Sequence, residues 1–197
     1  MKFRHLPLLG LLLALVSCQT ISTKDQHTVN TAFPDAAPKL IVVRDFENNN
    51  VTLKRDARET DLPQQITRLL GNDLFQGFKA ANYNTQKLST GQTAGNEGWV
   101  VTGRIQLVQW SNINDNPDDK AASDDRIECT VYVYDVSKSR VQPFLTFDVA
   151  ESRLAGDAAN DQGAPATDSA SSLKATCDAL SQIAVQRVQD YIRQNFQ

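Results

Sequence analysis

Four apolar residues at every second position, Ile127, Cys129, Val131 and Val133, constrain this chain more than any other feature. Glu128, Thr130, Tyr132 and Tyr134 fill the positions between them. A period of two is a strand with one dry face and one wet face. Such a strand cannot stand alone. It needs partners at its edges and a second layer over its dry face.

The partners are legible on both sides. Trp99 to Trp110 (WVVTGRIQLVQW) reads as a long strand, in which Arg104, Gln106 and Gln109 are polar while Ile105 and Leu107 are apolar. Gly103 within it marks a bulge or a close backbone approach. Phe144 to Glu151 is another strand, with Leu145, Phe147 and Val149 inward. The short turn-like stretch Asp135 to Arg140 joins it to the 127–134 strand as a hairpin. Leu40 to Phe46 is rich in β-branched residues and reads as a strand, and Tyr83 to Leu88 as a short one. Glu47 to Glu59 is polar, with three consecutive asparagines, and reads as a loop.

The covering layer comes from two helices. Leu62, Ile66, Leu69, Leu70, Leu74 and Phe78 keep the 3.6-residue spacing of an amphipathic helix. Asp61 reads as its N-cap, with Gln64 completing a capping-box-like pair and Pro63 tolerated in the first turn. Leu173, Cys177, Leu180, Ala184, Val188 and Tyr191 form the stripe of a longer helix ending near Phe196. The order is β-α-(β)-β-β-β-α. It predicts an α+β fold, with a mostly antiparallel sheet of about four or five strands and two helices on one face.

The N-terminus has a different character. Lys2 and Arg4 precede an apolar run from Leu8 to Val16, then small Ser17 and Cys18. A basic start, an apolar core and a small residue at the cut make a secretory signal segment. The core is shorter than the ~20 apolar residues a spanning helix needs. The ending Leu15-Val16-Ser17-Cys18 resembles the bacterial lipobox. That resemblance implies cleavage between Ser17 and Cys18, acylation of Cys18 (the palmitate-type anchor of a lipoprotein), and a protein held on a membrane without crossing it. Two or more acyl chains are needed for stable anchoring. Gln19, rather than Asp, follows the cysteine. By the same resemblance this points to the inner leaflet of the outer membrane, facing the periplasm.

The expected organisation is a signal peptide over 1–17, lipidated Cys18 with a flexible polar tether over 18–38, and one periplasmic domain over 39–197. Cleavage leaves 180 residues and moves the formal charge from −3 to −5. An acidic chain without a basic stripe does not suit nucleic acid. Cys129 and Cys177 remain besides Cys18. A disulfide in an oxidising compartment and two buried free thiols both fit them.

Several words of the domain, Ile41-Val42-Val43-Arg44-Asp45-Phe46-Glu47-Asn48, Val101-Thr102-Gly103-Arg104-Ile105 and Val131-Tyr132-Val133-Tyr134-Asp135, resemble the periplasmic domain shared by the CsgG, TolB N-terminal and LpoB group. With the element order, the resemblance covers about residues 39–196. It implies a small proteobacterial lipoprotein that serves as a binding or accessory subunit of an envelope complex. The partner would be another envelope protein or a copy of itself. A secretion or appendage-associated homo-oligomeric ring is the alternative within the group. The sequence departs from pore-forming members, since it has no spare pair of long amphipathic hairpins for a transmembrane barrel.

Catalytic inventory is thin. The histidines are His5, in the signal segment, and His27, in the tether, so the domain holds no imidazole base. Two cysteines do not make a structural zinc site. Glycine-rich phosphate loops are missing. The expectation is no cofactor, no metal and no enzymatic activity. Asp118, Asp119, Asp124 and Asp125 cluster in one polar loop and read as solvated charge, as do Asp157 and Asp161 beside Asn160. A carboxylate-dependent glycan hydrolase is the second alternative; it needs two acids about 5–9.5 Å apart in a cleft. Trp99 and Trp110 read as core. Thr130, Tyr132 and Tyr134 share the face away from the apolar stripe, and they are the candidate binding face.

Overall fold

The computed structural model describes residues 32–54, 61–88, 92–109, 125–153 and 169–197. Six strands and two helices follow in the order β1 (Ile41–Val43), β2 (Thr52–Lys54), α1 (Leu62–Ala80), β3 (Thr85–Lys87), β4 (Trp99–Gln109), β5 (Asp125–Asp135), β6 (Leu145–Arg153) and α2 (Ser169–Phe196). The fold is α+β. The sheet runs β3-β1-β4-β5-β6, with β2 also paired to β4.

The long pairings are antiparallel. Trp99 faces Asp135 at one end of β4–β5, and Gln109 faces Arg126 at the other. β6 continues the ladder as a hairpin partner, with Val133 opposite Leu145 and Asp125 opposite Arg153. The short pairings are parallel. α1 crosses between β1 and β3, which pair Ile41 with Thr85. β1 also lies along the start of β4, Ile41 opposite Trp99.

β2 falls within the stretch that reads as a loop in the sequence. It pairs with the far end of β4, Thr52 opposite Leu107. Between them Glu47 bridges Arg104 in parallel. Glu47 N–H donates to Gly103 O, and Ile105 N–H donates to Glu47 O. The chain from β1 to β2 thus follows one edge of β4 throughout, interrupted near Asn50, whose φ is +63°. Three exposed-edge residues carry no alternation that composition could reveal, so the ladder of β4, not local propensity, makes this strand.

Both helices cover the same face. Leu62, Ile66, Leu70, Leu74 and Phe78 of α1 pack with Leu173, Cys177, Leu180, Ala184 and Val188 of α2 over Val43, Val101, Ile105, Cys129 and Val131. Leu69 and Tyr191 are only partly buried, and Ile192 completes the α2 stripe at its end. α2 starts at Ser169, earlier than its apolar spacing indicates. Each such side chain contributes about 1.5–3 kcal/mol by leaving water. Trp99 closes one end of this layer against Phe144, Tyr191 and Phe196, with ring centroids 4.6, 6.1 and 5.9 Å away. Trp110 lies outside the described residues.

One local expectation is corrected, and at Gly103 one of two alternatives holds. Asp61 stands at the α1 N-cap, but its backbone is helical (φ −94°, ψ −7°) and its side chain makes no capping bond, so the capping box does not form. In that conformation the carboxylate does not turn back over the free amides. The irregularity in β4 falls between Ile105 and Leu107, where the register shifts. Ile105 and Val108 both enter the helix-side core as a result, and Leu107 leaves it. Gly103 is instead the close approach. A Cβ there would sit 2.6 Å from Thr130 O and 2.7 Å from Phe46 Cδ1.

The packed domain also starts earlier than Lys39. Ala32 is 1% exposed and belongs to the helix-side core. Pro34 is buried, and Asp35 pairs with Lys138 in the β5–β6 turn. No helix among the described residues is long and apolar enough to cross a membrane.

Candidate functional site

The face of the sheet away from the helices holds a concavity. Val42 of β1 and Val100 of β4 point to it, and the segment after β3 lays Leu88 and Ala94 against them as a small second core. Two arginines hold that segment in place. Arg44 Nη2 donates to Gln92 O at 3.2 Å. Arg140 donates to Ala94 O, Gly95 O and Asn96 Oδ1 at 3.3, 2.9 and 2.6 Å. The result is a groove of about 720 Å³ with an apolar floor, rimmed by Arg44, Glu47, Thr102, Tyr134 and Arg140.

The three residues singled out on β5 divide here. Tyr134 lines the groove, half-buried. Tyr132 stands beside it, ring centroids 6.5 Å apart. Burial pushes the Tyr134 phenol above its ordinary range, helped by Tyr132 and Glu47 and opposed by Arg104 and Arg44. Its proton therefore stays on, and the phenol remains a hydrogen-bond donor. Thr130 belongs to a different setting. It is 5% exposed, its hydroxyl donates to Asp148 Oδ1 at 2.6 Å, and Gln106 Nε2 donates to it. Thr130 is thus sealed inside a polar chain across β4, β5 and β6, and it offers nothing to a ligand. Of the candidate face, Tyr134 shares the groove with Arg44, Arg140 and Glu47, and Tyr132 stands next to it.

The arginines carry a weak signal in the sequence. Arg44 follows Val42 at the spacing of one strand face, but Arg140 sits in a turn, where no periodicity exists. Arg104 Nη2 meets Glu47 Oε2 at 3.3 Å, an exposed pair that contributes at most about 1 kcal/mol.

A second groove, of about 670 Å³, runs between α1 and α2 on the outer surface. Asp73 of α1 and Asp178 of α2 meet in it, with Lys174 bonded to Asp178 at 2.9 and 3.1 Å. Asp73 Oδ2 is buried with no donor facing it. Burial, then the neighbouring Asp178, pushes the Asp73 carboxyl up to about 6. A proton on Asp73 converts the contact into a hydrogen bond between the two acids. This is the paired acid that a hydrolase would require, but the two groups touch. Two-acid glycan hydrolysis needs carboxyls about 5–9.5 Å apart, with room between them for the sugar oxygen or a water.

Cys129 and Cys177 are free and buried, on facing sides of the sheet–α2 interface. Burial pushes the Cys177 thiol up to about 12 and the Cys129 thiol upward too. A thiol held protonated is a poor nucleophile and a poor metal ligand. No cluster of metal-binding side chains occurs among the described residues. Ser17, Cys18, Asp118, Asp119, Asp124, Asp157, Asn160 and Asp161 lie outside them. Asp125 opens β5, and its side chain is outside the described set.

No protein-family model matches the chain, and no curated protein matches it. Solved structures with a similar chain course exist. One is a PelC dodecamer from Paraburkholderia phytofirmans, 13% identical, covering 78% of this chain and 91% of its own, with a TM-score of 0.44. Another is a Xanthomonas campestris protein of the DUF330 group, 8% identical, covering 79% and 86%, TM-score 0.47. A third is a minor lipoprotein from Acinetobacter baumannii, 14% identical, covering 78% and 94%, TM-score 0.36. None of these names is that of CsgG, TolB or LpoB, so that resemblance remains a reading of the sequence. At such identities and scores the likenesses carry no functional conclusion.

Proposed function

We propose that this chain is a membrane-anchored envelope lipoprotein that binds another envelope protein through the helix-free face of its sheet. The anchor is acylated Cys18, exposed by cleavage after Ser17, and the placement is the periplasmic side of the outer membrane. The protein acts without catalysis, as an accessory subunit. One observation carries the binding half of the reading: the Arg44–Tyr134–Arg140 groove on a sheet face that neither α1 nor α2 covers. Its apolar floor with a few convergent polar groups suits a partner side chain or loop. Tyr and Arg are the residues that most often dominate such contacts.

Photo-cross-linking in living cells tests this. A benzophenone side chain replaces Tyr132 or Tyr134 in the full-length protein, with Gln186 on the outer surface of α2 as the comparison site. The expected result is one envelope protein captured at 132 and 134, not at 186, and lost in Cys18→Ala. A ladder of self-links would make the partner a second copy. Capture at 186 alone would overturn the assignment of the binding face.

A further inference from the structure

We infer that one end of the domain docks on the lipid surface itself, with Phe33 and Val141 as its apolar contacts; this rests on the Cys18 anchor proposed above. Three large apolar side chains stand exposed among the described residues: Phe33 at 52%, Leu53 at 48% and Val141 at 88%. Two of the three sit on segments that an ion pair joins. Phe33 directly follows buried Ala32, where the chain from Cys18 enters the core. Val141 belongs to the β5–β6 turn, and Asp35 pairs with Lys138 of that turn. The pair shows that the entering chain and the turn lie beside each other at one end of the sheet.

The position of the anchor selects the lipid surface over other occupants. Thirteen residues, or fourteen Cα-to-Cα steps, lie between Cys18 and Ala32. Fully extended, they reach about 50 Å at 3.3–3.6 Å per residue. A chain of that length with random-coil statistics averages about 20 Å. The end of the domain that receives this segment is therefore the end nearest the bilayer. Lys39 is exposed at the same end, and Lys138 lies there beside Asp35. Apolar side chains beside basic ones suit an interface of acyl chains and anionic headgroups. Tethering supplies a high local concentration, so two small apolar contacts suffice to orient the domain without anchoring it alone.

Leu53 is the internal control. It faces Val108, at the far end of β4 from Trp99. The eleven residues of β4 put it about 30 Å further from the anchored end. Docking through Phe33 and Val141 would also leave the Tyr132–Tyr134 face free at the side of the domain.

The test uses the full-length chain, processed in cells, purified in detergent and reconstituted into vesicles of phosphatidylethanolamine and phosphatidylglycerol. Val141→Trp and Leu53→Trp are compared in vesicles with and without brominated acyl chains, after subtraction of the wild-type signal. Both positions are exposed, so neither substitution disturbs the core. The expected result is quenching at 141 several-fold stronger than at 53, reduced when Phe33→Asp is added. An acylated chain that floats with the vesicles but quenches equally at both positions, or at neither, overturns the docking and leaves the anchor standing. A chain whose Cys18 carries no acyl group, and which fails to float, overturns both. A cross-linker at 141 that captures protein, with no lipid quenching, replaces the lipid surface with a protein contact.

Discussion

The two faces of the sheet are built by different rules. On the helix-covered face, Val43, Val101, Ile105, Ile127, Val131 and Val133 show no measurable exposure. Their neighbours are mostly aliphatic and aromatic, and the charged contacts of this side, Asp45 with Lys87 and Asp73 with Asp178, lie at its margins. The opposite face is a patchwork. It holds a small apolar core of Val42, Leu88, Ala94 and Val100, a buried polar chain from Gln106 through Thr130 to Asp148, and an arginine-clamped segment over a groove. Stability belongs to the first face, since area removed from water supplies most of the folding free energy. The candidate recognition surface belongs to the second, where polar groups stay near solvent and a segment is held by a few hydrogen bonds.

The sharpest way to break this contrast is at Trp99. Its indole is 2% exposed and meets three aromatic rings. Trp99→Ala should cost about 3–5 kcal/mol in urea unfolding, while Tyr134→Ala, on the groove, costs about 1 kcal/mol or less. Equal losses would mean the helix-free face carries as much of the stability, and the division would fall.

Gly103 tests where the two faces touch. It lies on the helix side of β4, under the Phe46 ring. Gly103→Ala should cost about 2 kcal/mol, because the added methyl meets both that ring and the Thr130 carbonyl. Adding Phe46→Leu should restore part of the loss. Failure of that rescue would assign the strain to the β5 backbone instead.

The covered face was the more legible one. Period-two and period-3.6 spacing marked β4, β5, β6, α1 and α2, because burial repeats at fixed intervals and leaves that trace in residue choice. β2 left none, since an edge strand of three residues has too few alternations to register and takes its conformation from β4. The bulge after Ile105 was equally invisible, and it moved Leu107 out of the core. The groove was half legible. Tyr132 and Tyr134 followed from alternation, but Arg140 reaches Ala94 and Asn96 across more than forty residues of sequence. Asp73 and Asp178 meet only because two helices pack side by side, and no spacing rule foretells which residues face across a seam.

That seam gives a pH-dependent prediction. The Asp73 carboxyl is raised from 3.8 to about 6 in the folded chain. A raised acid favours the folded state when protonated, so its contribution is full below about 4. It is lost as pH rises through about 6. Asp73→Asn mimics the protonated form. It should leave stability unchanged near pH 4 and raise it by about 1 kcal/mol at pH 7.5, a value discounted for the half-exposed setting. Thermal unfolding of both proteins across that range measures it. Destabilisation by Asn at pH 7.5 would show that the ionised Asp73 is held favourably, by Lys174 and Lys87 together.

Arg140→Ala produces the smallest change in stability and sharpens the comparison most. Arg140 is exposed, and its hydrogen bonds run to the 94–96 segment, not to the core. Loss of these bonds should cost about 0.5–1 kcal/mol globally. Locally the effect is larger. Ala94 sits over Val100 partly because Arg140 holds the backbone around it, so amide exchange in residues 92–97 should accelerate about tenfold, with β4 and β5 amides accelerating only by the few-fold that the global loss requires. The same variant should weaken cross-linking from position 134, because the segment forms one wall of the groove. Acceleration of the larger size spreading into β4 would mean the clamp braces the sheet itself, and the helix-free face would then belong to the scaffold as much as to the binding surface.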